Sequence, residues 1–176
     1  IKNATVLYMT DAAKITAKTT GTDGDGGRII AWADQNAFVL SHFDVTPGSK
    51  SGAGGFVEVS SGNTLTFNGN VKAGVDTRTG TLLLDPKNIT IGSSSGDAIS
   101  TAVFATDASG DSTIAASTIN SILSAGTDVV LQANNDITFS SAITASNSGN
   151  GCLVYTSYAA TDHILLDRRR HPTLTK

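Results

Sequence analysis

The sequence predicts an all-β chain of the solenoid kind, a parallel β-helix in which short strands wind around a shared apolar interior. Three observations carry this. Short apolar stretches recur on a glycine: "GGRIIAWAD" at 26–34, "GGFVEVSSG" at 54–62 and "TGTLLLDPK" at 79–87, with a looser copy, "GTDVVLQAN", at 126–134. The anchors Gly27, Gly55 and Gly80 are 28 and 25 residues apart. Strand-and-turn repeats of roughly 20–30 residues are the mark of a solenoid. The composition agrees, with 18 glycines and with Glu58 the sole glutamate among 15 acidic residues. Glutamate favours helices, whereas aspartate and glycine favour turns. The third observation is alternation. Superposing the glycines matches Ile29, Val57 and Leu82, then Ala31, Val59 and Leu84, all apolar at period two and so inward-facing.

The elements follow in order. Each anchored stretch is a strand, and Val129, Leu131 and Ala133 extend the inward rows. The intervening Ile30, Glu58, Leu83 and Val130 are mixed in character, as an outer face should be. A second strand follows each anchored one, at 37–45, 64–71, 88–91 and 136–145, after a turn rich in Gly, Asp, Asn or Ser. Asp85-Pro86 marks a corner, because proline has no N–H to give a neighbouring coil. Residues 92–111 read as a loop with one strand at 99–105. Ile119, Ile122 and Leu123 fall at helical spacing, which predicts one short inserted helix near 114–125, capped by Ser117 or Thr118 and ended by Gly126. A β-sandwich is the alternative, since it too uses many short strands. Residues 1–150 form the solenoid segment. Residues 151–176 break its rhythm, holding one of the glycines, the run Arg168-Arg169-Arg170 and a net charge opposite in sign to the rest. They are expected to be an atypical, aberrant tail.

Composition also excludes classes. A net charge of −3 argues against a nucleic-acid partner. No apolar run approaches the ~20 residues that span a bilayer. The opening Ile1-Lys2-Asn3-Ala4 has no signal-peptide pattern and no initiator Met, so the chain is expected to be a fragment or a processed product. Cys152 is the single cysteine, which excludes an internal disulfide and any CxxC metal site.

The ordered series "GGRIIAWAD", "GGFVEVSSG", "TGTLLLDPKNITI" and "STINSILSAGTDVVLQANNDITFSSAI" resembles the large secreted exoproteins of the filamentous haemagglutinin type, over roughly residues 14–147. The resemblance implies a right-handed parallel β-helix rod of a Gram-negative bacterium, exported by two-partner secretion through an outer-membrane partner. It implies an adhesive rod segment, secreted or at the cell surface, that displays adhesive or toxic modules to a host receptor or glycan. A solenoid cut from a longer array would also self-associate through its exposed ends.

Candidate chemistry is sparse. "GTDGDGG" at 21–27 offers Asp23 and Asp25 to a calcium ion, although a hard cation wants six or more oxygens and Asp-Gly is also ordinary turn chemistry. Asp34, Glu58 and Asp85 could gather on one face of stacked coils, which keeps a carbohydrate-active β-helix enzyme, a lyase or glycosidase, as the alternative function. His42 has no nucleophile pattern around it, and His163 and His171 lie in the tail. Trp32 should point outward, either covered by a loop or exposed as a contact for a sugar or protein. Asn3 and Asn88 begin glycosylation triplets, "NAT" and "NIT". The sequence therefore predicts a structural segment with no cofactor, no metal and no catalysis.

Overall fold

A computed structural model describes residues 3–94, 111–145 and 151–157, and the backbone of 165–166. The chain forms a β-solenoid of about five turns. The first coil holds β1 (Val6–Met9), β2 (Lys14–Thr16) and β3 (Arg28–Ala33). The second holds β4 (Asn36–Val39), β5 (His42–Asp44) and β6 (Phe56–Ser61), and the third β7 (Leu65–Phe67), β8 (Asn70–Lys72) and β9 (Thr81–Asp85). The fourth comprises β10 (Asn88–Gly92), β11 (Asp111–Ala115), α1 (Ala116–Ser124) and β12 (Asp128–Ala133). After these come β13 (Ile137–Phe139), β14 (Leu153–Ser157) and β15 (Leu165–Leu166).

Like strands stack on like. The long wall runs β3-β6-β9-β12-β14 with every pair parallel, and β15 lies antiparallel along β14. A sandwich would pair its strands antiparallel. Here each parallel neighbour along the long wall is reached by one full circuit of the chain. The interior rows follow the glycine register. Ile29, Val57, Leu82, Val129 and Leu153 are partners across the wall, as are Ala31, Val59, Leu84 and Leu131. All nine are buried. Ile89 and Ile91 turn inward on the next wall, after Asp85-Pro86 makes the corner.

The glycine anchors have a steric cause. Gly27 N–H donates to Ala17 O at 2.7 Å, and Gly55 N–H to Val45 O at 3.1 Å. Each anchor joins the second wall to the long wall where backbones nearly touch. A Cβ at Gly27, Gly55 or Gly80 would lie under 3.0 Å from backbone atoms of its neighbours. The residues between these joints, 18–26 and 46–54, leave as excursions that stack on each other: Lys50 N–H donates to Thr22 O at 2.7 Å and Gly48 N–H to Gly24 O at 2.8 Å. In the fourth coil Thr127 takes the anchor position, where α1 stands in place of a second-wall strand. Its Oγ1 accepts from Ala73 N–H at 3.1 Å, supplying an acceptor that a strand backbone would have offered. Gly151 then occupies the same register, and β14 pairs in parallel with β12.

The fourth coil departs from the expected plan. Residues 111–115 are strand, so the helix occupies only Ala116–Ser124. Ser112 and Ile114 are buried at period two, and the pairing of Ile114 with Ile91 holds the segment extended. β11 lies beside β7 as well as β10, with Leu65 N–H donating to Ser112 Oγ at 2.8 Å. It thus wedges between the third and fourth coils on that wall. Ser117 and Thr118 do not cap. The N-cap is Ala115, with no side-chain hydrogen bond, and Thr118 Oγ1 donates instead to Asn68 Oδ1 at 2.8 Å. Gly126 does end the helix, with φ of 81°. The strand expected at 99–105, and most of the tail, lie outside the described residues.

Candidate functional site

The outer face of the long wall gathers the side chains with the most chemistry. Its central row is Ile30, Glu58, Leu83, Val130 and Val154, each the register partner of the next. A second row begins Trp32, Ser60, Asp85. Outward strand positions on a solenoid are ordinarily polar. Here Ile30 is 55% and Trp32 40% exposed. Trp32 is uncovered by the described residues, and its ring is pinned: Nε1 donates to Asp34 Oδ1 at 3.0 Å, and Asn3 Nδ2 donates to the same oxygen at 3.0 Å. These two bonds, Trp32 first, hold the Asp34 carboxyl below its ordinary range.

Glu58 and Asp85 come together over the fully buried Ser60. Asp34 does not join them, because it is turned to Trp32 and Asn3. Glu58 Oε1 accepts from Ser60 Oγ at 3.1 Å, and Oε2 lies 3.8 Å from Arg28 Nη2. Arg28 in turn stands over the Phe56 ring, 4.6 Å from its centroid. Asp85 receives no hydrogen bond or ion pair at its carboxylate among the described residues. Burial pushes its carboxyl up, and the neighbouring charge of Glu58 adds to this. A pair of carboxyls with one raised is the raw material of acid–base chemistry.

The raised group has a consequence for stability. The folded state keeps the Asp85 proton to higher pH than the unfolded chain does. Its contribution is therefore present below the ordinary carboxyl value of about 3.9 and is lost as pH rises through the raised one. Asp23 and Asp34, lowered by hydrogen bonds, act in the opposite sense, and their contribution is lost as pH falls through their lowered values. Asp44 joins them: burial pushes it up, but the Thr46 hydroxyl and N–H, together with Lys18 at 3.4 Å, outweigh that. Asp85→Asn should raise the unfolding free energy at pH 7, read from urea titration, by less than about 1 kcal/mol, since water screens a half-exposed carboxylate. It should leave the midpoint at pH 3 nearly unchanged. A loss at pH 7 would contradict the placement of Asp85 beside a like charge.

The other candidates serve the backbone. Asp23 accepts from Ser51 Oγ at 2.7 Å and from Thr22 Oγ1 at 2.7 Å, while Asp25 Oδ1 accepts from Ala53 N–H at 2.8 Å. Thr22 and then Ser51 hold the Asp23 carboxyl below its ordinary range. Both carboxylates thus tie the 18–26 excursion to the next one, and this donor set leaves no six-oxygen cage. No group of three or more His, Cys, Asp or Glu suited to a metal occurs among the described residues. The thermal midpoint should be the same with calcium and with a chelator. A shift of several degrees would make Asp23 and Asp25 ligands.

Asn3 and Asn88 both spend their amides at corners. Asn88 Nδ2 donates to Asp111 Oδ1 at 3.0 Å, and its Oδ1 accepts from Asp136 N–H at 3.4 Å. A glycan on Asn88 would displace that corner. His42 is exposed on the second wall between Lys14 and Asn70 in register. His163, His171 and Arg168–Arg170 lie outside the described residues. Sequence reasoning missed Arg78, whose Nη1 donates to Gly48 O at 2.8 Å and Gly52 O at 3.2 Å, and whose Nη2 reaches Ser49 O at 3.2 Å. One guanidinium thereby clasps the 46–54 excursion, a role with no local signature.

No family model, curated protein or solved structure matches the chain.

Proposed function

We propose that this chain is a structural rod segment of a secreted or cell-surface bacterial exoprotein of the filamentous haemagglutinin type, with no catalysis of its own. The observation that carries the reading is the unbroken parallel stacking of the long wall over continuous aliphatic rows. Such a stack extends by adding coils, each burying the face of the last, and so suits a spacer. The motif series at 26–34, 54–62, 79–91 and 117–143 supports the adhesin class, export by two-partner secretion through an outer-membrane partner, and display to a host receptor or glycan. Exposed coil ends would support self-association.

Export tests this directly. The complete reading frame is expressed in a Gram-negative host with and without its outer-membrane partner, and intact cells are treated with protease. The expected result is partner-dependent cleavage of an epitope placed in the 46–54 excursion. Retention inside the cell in both cases would overturn the reading. The Glu58–Asp85 pair favours one second reading, a carbohydrate-active β-helix enzyme. Shortening of a polysaccharide by the wild type, abolished in both Glu58→Gln and Asp85→Asn, would establish it.

A further inference from the structure

We infer that the outer face of the long wall is a docking surface for an amphipathic helix of a protein partner, one that sets a Lys or Arg against Glu58 and Asp85 within an aliphatic stripe. The inference goes beyond the rod reading and stands on this wall alone. Ile30, Leu83, Val130 and Val154 form a row crossing the strands, flanked by the exposed Trp32. The row advances by one strand spacing of ~4.8 Å per side chain. A helix laid along the solenoid axis presents side chains at i, i+3 and i+4 with neighbours about 5–6 Å apart, a close match. An extended strand offers one side chain to the wall only every ~6.6 Å and finds no free backbone on a sheet face. A glycan would want several aromatic platforms, yet Phe56, in the neighbouring row, already lies under Arg28, and the central row is aliphatic apart from Glu58. The chain itself packs a helix on its coils: α1 buries Ile119, Ile122 and Leu123 where a second-wall strand is replaced.

Charge complementarity fixes the partner's chemistry. Glu58 interrupts the aliphatic row, and Asp85 beside it has no partner among the described residues. The cation on this face, Arg28, is engaged by Glu58 and Phe56. Asp128 at the row's edge is satisfied by Thr79 Oγ1 at 2.8 Å and Cys152 N–H at 2.7 Å. One cationic side chain arriving at the level of Glu58 and Asp85 would complete the face, with its carbon stem lying on Ile30 and Leu83.

Trp32 is the only tryptophan, so its fluorescence reports on this face alone. The probes are three synthetic helical peptides with a leucine stripe and a central Lys, Gln or Glu, titrated at low salt. The Lys peptide should shift Trp32 emission to the blue, shield it from acrylamide, and bind about tenfold more tightly than the Glu peptide. Asp85→Asn should remove most of that preference. Leu83→Asp should weaken all three peptides, while Lys72→Ala on the second wall should change nothing. Three outcomes would overturn the inference: no response to the Lys peptide, equal affinity for the Lys and Glu peptides, or Trp32 already shielded in the peptide-free chain. Shielding that grows with chain concentration and is relieved by Leu83→Asp would assign the face to a second copy instead. Failure here leaves the export experiment untouched, so the two readings fall separately.

Discussion

Gly55→Ala is expected to remove about 3 kcal/mol or more of stability, although it adds a single methyl group. The backbone of Gly55 is held on both sides. Its N–H lies 3.1 Å from Val45 O and 3.0 Å from Ala73 O, and its carbonyl accepts from Thr81 N–H at 2.9 Å. A Cβ would enter the space of Val45 O, Gly27 O and the Val45 side chain, all under 3.0 Å away. Backbone atoms held by ladder hydrogen bonds cannot swing aside as a lysine tip could. Relief would require lifting one coil from the next. The glycine is needed for this closeness rather than for an unusual dihedral angle, since its φ is not positive. Gly126 provides the contrast. Its φ is 81°, yet a Cβ there would meet nothing within 4 Å. Gly126→Ala should carry only the left-handed backbone penalty of about 1–2 kcal/mol. Urea midpoints of the two variants give the comparison. Equal losses would mean that the stacked coils relax freely and that the glycine register has no steric origin.

That contact explains why the fold was legible. A steric need repeated where the second wall meets the long wall in the first three coils writes glycine at a fixed place in each. Aligning Gly27, Gly55 and Gly80 therefore recovers the strand register and the inward rows together. The fourth coil was harder to read because its anchor is Thr127, whose hydroxyl does work that a strand does elsewhere. β11 was hidden for a related reason. Its partner β10 is contributed by an earlier part of the same coil, and no local pattern signals a return of the chain into a gap beside β7. Caps were misread because Ser117 and Thr118 are good capping types, yet the strand pairing of Ile114 and Ala115 with Ile91 and Gly92 sets where the helix can start. For the candidate site, the register places Glu58 and Asp85 on one face. What the sequence could not convey is that Arg28 reaches one carboxylate and that none of the described residues bonds to the other.

Leu82→Ala and Leu84→Ala should each cost about 2–5 kcal/mol, and Leu83→Ala clearly less, under about 1.5 kcal/mol. Three consecutive leucines thus carry unequal weight. Leu82 and Leu84 have no exposed surface and are stacked between Val57 and Val59 of the coil before and Val129 and Leu131 of the coil after. Deleting their side chains leaves a cavity that rigid coils on both sides cannot close. Leu83 points the other way, between Glu58 and Val130 on the outer face, while α1 packs chiefly on β8, β11 and β12. Its loss removes partial burial without opening a sealed void. Denaturant unfolding of the three variants at one pH measures the ratio. The parallel order of the long wall already sets aside a sandwich, so equal losses at all three positions would carry a different meaning. Leu83 would then be packed as tightly as its neighbours, and the outer wall of the isolated chain would be covered in solution. A face that is already covered cannot receive a partner's helix, so the same three midpoints that measure the core also decide whether the docking surface is open.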